Sequence, residues 1–152
     1  NYSNGLVYEG EFKDAKNHGF GTMQYEDGYT YSGEWANGVR EGYGKASYSD
    51  GTIYEGQFLS GRRSGKGKFI TTDGFIYEGE WFEGEIEGLG KATYPNGNTY
   101  EGYFKKGKRQ GTGIMTYSSG EKYEGYWANG KKATEEEAKA AEEAKGALGE
   151  GD

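Results

Sequence analysis

His18 is the one imidazole in this 152-residue chain, and there is no cysteine. Composition therefore excludes thiolate catalysis, thiolate metal ligation and disulfides. A serine nucleophile would need a base held beside it. His18, however, occupies a loop position that holds Glu41, Ser64, Glu87 and Gln110 elsewhere in the chain, which reads as a surface site. Gly42-Tyr43-Gly44 and its equivalents imitate a phosphate loop, but they recur along the chain and lead into a strand pattern rather than a helix. Gly61 to Lys68 lacks the spacing of a nucleotide-binding lysine loop. Glu9, Glu11, Glu34, Glu55, Glu78, Glu80, Glu101 and Glu124 recur as regularly spaced single carboxylates. A calcium cage needs about six to eight converging oxygens, so these read as a solvated face. No catalytic residue, metal or cofactor site is expected, and the chemistry points to a binding or scaffolding surface.

The spacing of the aromatic residues shows what must carry such a surface. Tyr-x-Gly begins at Tyr8, Tyr31, Tyr54, Tyr77, Tyr100 and Tyr123, each 23 residues after the last, with Phe12, Trp35, Phe58, Trp81, Phe104 and Trp127 four residues on. Gly19, Gly42, Gly65, Gly88 and Gly111 keep the register, as do Gly21, Gly44, Gly67, Gly90 and Gly113. So do the pairs Asp27-Gly28, Asp50-Gly51, Asp73-Gly74, Asn96-Gly97 and Ser119-Gly120. A fixed period of this length means an array of supersecondary units. Spacing of two inside each unit is strand alternation, and Asp-Gly or Asn-Gly is a hairpin signal.

The expected fold is all-β: an elongated, twisted, single antiparallel sheet of tandem 23-residue hairpins, with a short C-terminal helix or tail. A partial repeat at 1–7 precedes whole repeats at 8–30, 31–53, 54–76, 77–99 and 100–122. A further partial repeat, 123–132, completes an array over 1–132, and 133–152 is an acidic Ala/Glu-rich tail. A chain that starts at Asn1 inside a repeat reads as processed or as part of a longer array.

Only 32% of residues are hydrophobic and mean hydropathy is -1.04, which alone would suggest disorder. The periodic aromatic residues, 16% of the chain, supply the missing core. A glycine opposite each ring leaves room for the ring to lie across the neighbouring strand. Trp-bearing units carry Ala46 and Ala92 eleven residues after the Trp, whereas Phe-bearing units carry Met23, Phe69 and Met115. This alternation suggests volume compensation within pairs of hairpins.

The consensus Tyr-Glu-Gly-Glu-Phe/Trp, Gly-x-x-x-Gly-x-Gly, Tyr-x-Asp/Asn-Gly resembles the MORN repeat, the membrane occupation and recognition nexus motif, over residues 1–130. The long, acidic, uninterrupted form is similar to prokaryotic arrays. The resemblance implies a non-catalytic scaffold, or a module for anionic phospholipid. MORN arrays are also joined to kinase or methyltransferase domains, so a third expectation is an accessory array for an enzyme encoded outside this chain.

A protein partner, or a second copy of the chain, is expected on the ring ladder: Tyr31, Trp35, Tyr54, Phe58, Tyr77, Trp81, Tyr100 and Phe104, since Tyr and Trp bring large contact area at little entropic cost. Basic loops holding Lys16, Arg62, Arg63, Lys108 and Arg109 would fall on one edge, where anionic lipid could meet them. Residues 1–132 sum to a net charge of only -2 of the total -7, so no nucleic-acid footprint is expected. Lys45, Lys66, Lys68 and Lys91 are expected to pair with the glutamates across the sheet. Thr134 and Glu137 form a capping box ahead of a helix over 135–145 ended by Gly146, a candidate cap for the last strand edge. No apolar run approaches the roughly 20 residues of a membrane-spanning helix, and the compartment stays open.

Overall fold

The computed structural model describes residues 6–141. The expected hairpin remnant at 1–5 and the helix end at Lys145 and Gly146 lie outside the described residues. The strands, in chain order, are β1 (Val7–Lys13), β2 (Lys16–Gln24), β3 (Thr30–Ala36), β4 (Val39–Ser47), β5 (Ile53–Leu59) and β6 (Arg62–Ile70). They continue with β7 (Ile76–Phe82), β8 (Glu85–Thr93), β9 (Thr99–Lys105), β10 (Lys108–Thr116), β11 (Lys122–Ala128) and the short β12 (Lys131–Ala133). Every strand pairs with its sequence neighbours in one open antiparallel sheet, ordered β1 to β12. Helix α1 follows at 135–141.

Two kinds of turn alternate. Within each repeat the chain reverses over two residues, Asn37-Gly38, Ser60-Gly61, Glu83-Gly84, Lys106-Gly107 and Asn129-Gly130, both members having positive φ. This is the turn whose twist matches paired strands. The sequence assigns the tight turn to Asp27-Gly28 and its equivalents instead. Those pairs lie in the longer connections between repeats, where only the glycine has positive φ, 93° at Gly28. The acid serves there as an acceptor: Asp27 Oδ1 takes the N–H of Tyr29 at 3.0 Å, and Asp50 Oδ1 that of Thr52 at 2.9 Å. Because the tight turns are so short, β2 starts at Lys16 and includes His18, which is half-buried in a strand rather than exposed in a loop.

Each repeat also carries a bulge. Pairing between repeats is regular, but within the hairpins the register slips, for example between Gly56 and Phe58 opposite β6. The first glycine of each Gly-x-Gly absorbs the slip with positive φ, 93° at Gly65. The bulge frees backbone groups, and in the first four repeats the residue three after the Tyr collects them. Glu34 Oε2 accepts the N–H of Tyr43 at 2.6 Å, Gln57 Oε1 that of Lys66 at 2.8 Å, and Glu80 Oε1 that of Leu89 at 2.6 Å. The carbonyls of the same residues accept the tyrosine hydroxyls: Tyr31 donates to Glu34 O, Tyr54 to Gln57 O and Tyr77 to Glu80 O, at 2.7 to 2.8 Å.

The second glycine has a different task. Gly10, Gly21, Gly33, Gly44, Gly56, Gly67, Gly79, Gly90, Gly102, Gly113 and Gly125 stand opposite one another in turn, an unbroken line across the sheet. Each repeat tyrosine from Tyr8 to Tyr100 lies over this line, so close that a Cβ on Gly67 would sit 2.3 Å from the Tyr54 hydroxyl oxygen. Large rings and absent side chains are complementary, which is why a sheet poor in aliphatic residues still has a core.

Candidate functional site

The two faces of the sheet differ. On the ring face, each repeat tyrosine packs edge-on against the Phe or Trp of its own hairpin and that of the next. From Tyr8–Trp35 to Tyr123–Trp127 the centroids are 5.0 to 5.6 Å apart. The indole N–H groups of Trp35, Trp81 and Trp127 donate to the carbonyls of Gly21, Gly67 and Gly113. All eight rings assigned to a partner lie here and form the core: Tyr31, Tyr54, Tyr77 and Tyr100 are 0% exposed, and Trp35, Phe58, Trp81 and Phe104 at most 5%. Burial raises the Tyr31, Tyr54 and Tyr77 hydroxyls well above their ordinary value and that of Tyr100 to about 12. Phe69 meets Trp81 of the following hairpin at 5.5 Å, so its volume is matched across a repeat boundary rather than within its own unit.

The basic residues divide as well. Lys16, Arg62 and Lys108 open β2, β6 and β10 as exposed residues. Arg63 and Arg109 turn onto the ring face, their guanidinium carbons 4.8 Å from the Trp81 ring and 4.7 Å from the Trp127 ring. Together with Arg40 they donate to turn carbonyls of the next repeat, at Gly61, Gly84 and Gly130. These arginines staple one hairpin to the next and do not stand on an edge with the other three. The sequence holds the signal, since the column reads Asn17, Arg40, Arg63, Ile86, Arg109 and Lys132 irrespective of loop charge.

The opposite face carries the expected glutamates and also something the periodic residues conceal. Its inner row runs Lys45, Glu55, Lys68, Glu78, Lys91, Glu101 in successive strands, each opposite the next. The neighbouring row includes the middle residue of Gly-x-Gly, a position where the repeats differ freely: Phe20, Tyr43, Lys66, Leu89 and Thr112. Among the described residues, every exposed large hydrophobic except Phe12 lies on this face, at Phe20, Val39, Tyr43, Leu59, Phe82, Leu89, Tyr103 and Ile114. Between the two rows, glycine backbone from Gly56 to Gly102 floors a groove of about 810 Å³, with Tyr43, Lys66 and Leu89 on one side and Lys68 and Lys91 on the other.

Helix α1 does not extend along the last strand edge. After β12 it folds back onto the opposite face, with Ala138 buried and Gln110 Nε2 donating to Ala138 O at 3.1 Å, and a cleft beside Ala138 and Lys139 is lined by Leu89, Tyr103, Thr112 and Tyr126. It starts with the expected capping box, Thr134 Oγ1 accepting from the Glu137 N–H and Glu137 Oε1 from the Thr134 N–H. The last two repeats are altered to receive it. Where Glu11, Glu34, Gln57 and Glu80 bridge their bulges, hairpins five and six carry Tyr103 and Tyr126. Gln110 replaces the acids Glu41 and Glu87, whose carboxylates take the turn N–H groups of Ser60 and Lys106. Its amide does this for Asn129 and has a donor left for the helix. Among the described residues no helix is long and apolar enough to cross a membrane.

Comparison with known proteins agrees with the periodicity. The family model of the MORN repeat matches residues 8–28, 31–53, 54–75, 77–99, 100–122 and 123–133. A search of curated proteins returns no match. Among solved structures, the TCP domain of SAS-4 from Drosophila melanogaster, in complex with a proline-rich motif of Ana2, is similar at 14% identity. The match covers 72% of this chain and 84% of that one at a TM-score of 0.26, and at that score it carries no argument.

Proposed function

The chain belongs to the MORN-repeat family, and from that premise we propose that it acts as a non-catalytic protein-binding scaffold that holds its partner on the face opposite the rings. One observation carries this reading. A sheet whose aromatic ladder buries itself still exposes a set of large apolar side chains, gathered on one side: Phe20, Tyr43, Leu59, Phe82 and Leu89 are each more than half exposed. Contiguous apolar surface rimmed by charge marks an interaction site. In this reading Tyr31, Trp35, Tyr54, Phe58, Tyr77, Trp81, Tyr100 and Phe104 serve the interface from behind. Packed ring on ring, they hold the backbone in one shape, so the partner pays little for ordering the surface.

The test compares the full chain with Tyr43→Ser/Leu89→Ser and with Phe12→Ser on the ring face, each immobilised in lysate of the cells that make it. All three positions are solvent-exposed, so folding is expected to be unchanged, as circular dichroism would show. Proteins retained by the full chain and by Phe12→Ser, but lost with the double variant, are expected. Equal retention by all three would contradict the proposal. So would co-sedimentation with phosphatidylserine vesicles at physiological salt with no protein retained, which would favour a lipid surface instead.

A further inference from the structure

The opposite face already holds one ligand, its own helix, and the way α1 sits there shows what the rest of the face can accept. Ala138 is buried against the sheet and Ala141, one turn on, is half-buried, whereas Glu135, Glu136, Glu137, Lys139 and Ala140 are exposed. The helix is seated on β10 through Gln110, and the cleft beside Ala138 and Lys139 is lined by Tyr126 of β11, Gly111 and Thr112 of β10, Tyr103 of β9 and Leu89 of β8. Two spacings suit a helix to such a face. A helix rises roughly 4.5 Å over three residues, and neighbouring strands are about 4.8 Å apart, so a helix with a small residue every third or fourth position sets one small contact over each strand.

Leu89 joins the open groove to the cleft beside α1, because it lines both. We propose that this groove, from Leu89 back to Tyr43, docks a short helix from a partner protein, with alanine-sized residues on its contact face and both glutamate and lysine on its flanks. The proposal rests on the protein-binding reading above and supplies the partner's chemistry. A helix fits where an extended segment does not. Laid on a sheet face, a strand would bury N–H and C=O groups that only a sheet edge can pair, whereas a helix satisfies its own. Between the two side-chain rows the floor is bare backbone, because those positions face the rings on the other side, so a helix with small contact residues can approach it closely.

Charge specifies the flanks. In the groove Glu55, Lys68, Glu78, Lys91 and Glu101 alternate strand by strand. A helix with mixed charges can set an opposite sign against each wall residue in turn, as Glu135 and Lys139 already do for each other at 3.0 Å on α1. A uniformly acidic or basic helix meets a like charge at every second strand, which disfavours it.

The test uses a fluorescein-labelled synthetic helix with alanines at every third and fourth position and glutamates and lysines on both flanks, titrated with the full chain at low salt and followed by anisotropy. Saturable binding is expected, weakened at least tenfold by Tyr43→Ser/Leu89→Ser and unchanged by Phe12→Ser on the ring face. A scrambled peptide of equal composition, and peptides with all-glutamate or all-lysine flanks, are expected to bind at least tenfold more weakly. No saturable binding, equal binding of the scrambled peptide, or indifference to the double variant would overturn the helix assignment. If protein retention from lysate still depends on Tyr43 and Leu89 in that case, the scaffold reading stands and only the helical partner falls. If both fail, the face is not the binding surface.

Discussion

Replacing Gly67 by alanine is expected to destabilise the fold by about 4 kcal/mol or more, although the same change in an ordinary strand helps slightly. The new Cβ would lie 2.3 Å from the Tyr54 hydroxyl oxygen and 2.4 and 2.5 Å from two ring carbons. Tyr54 has nowhere to retreat. Its ring stands edge-on between Phe58 and Trp81 at 5.2 and 5.1 Å, and its hydroxyl is bonded to Gln57 O. Displacing it sacrifices a buried hydrogen bond, worth about 1 kcal/mol, and two ring contacts of about 0.5 to 1.5 kcal/mol each, on top of the overpacking. Gly84→Ala provides the contrast. Gly84 has φ of 88° with nothing within 4 Å of an added Cβ, so only backbone strain of about 1 kcal/mol applies. Urea unfolding of both variants measures the difference. In a Tyr54→Ala background the Gly67→Ala cost should shrink by at least about 2 kcal/mol, since the clash is gone. Equal costs at the two glycines, or strict additivity with Tyr54→Ala, would mean the ring does not rest on the glycine line.

Alkali should unfold the protein cooperatively. Tyr31, Tyr54, Tyr77 and Tyr100 are fully buried and hold their protons well above the ordinary tyrosine value, desolvation being the main cause. In the unfolded chain they ionise near pH 10. A raised folded value means that their contribution is complete below about pH 10 and is lost as pH climbs from there toward the folded value. Each buried tyrosine removes about 1.4 kcal/mol per pH unit in that window, so four of them remove on the order of 5 kcal/mol by about pH 11. That rivals the whole stability of a typical domain. Tyrosinate absorbance and far-ultraviolet ellipticity are expected to change together between about pH 11 and 12. Smooth ionisation of all tyrosines near their ordinary value with the sheet intact would contradict the packing of the ladder.

The parts of this structure legible in the sequence are those that repeat with a reason shared by every repeat. Tyr54, Gly56 and Phe58 recur at spacing two because each hairpin must build the same stretch of core, and that alone defines the strands, their order and their ring face. Turn identity was less legible, because Asp27-Gly28 and Asn37-Gly38 both look like tight turns. Only the N–H of Tyr29, captured by the Asp27 carboxylate, tells that the first is a longer loop held by a side chain. The binding face was obscured for the opposite reason. Its exposed apolar residues Phe20, Tyr43 and Leu89 stand in a column where the repeats disagree, with Lys66 and Thr112 in the other units, so attention to the shared positions passes over them. The site of α1 could have been found by the same route, through the exchange of Glu for Tyr103 and Tyr126 and of an acid for Gln110. Arg63 and Arg109 are marked only by the column they share with Arg40 and not by the loop around each, because the rings and turn carbonyls that half-bury them come from the following repeat.

Hydroxyl-radical labelling of the native full chain, read residue by residue by mass spectrometry, tests most directly the division of labour between the two faces. The account predicts strong labelling of Phe20, Tyr43, Phe82 and Leu89 and protection of Tyr31, Trp35, Tyr54, Phe58, Tyr77, Trp81, Tyr100 and Phe104 until the protein is unfolded. Native labelling of the ladder rings at the level of Tyr43 would contradict it, and would return the partner to the ring face.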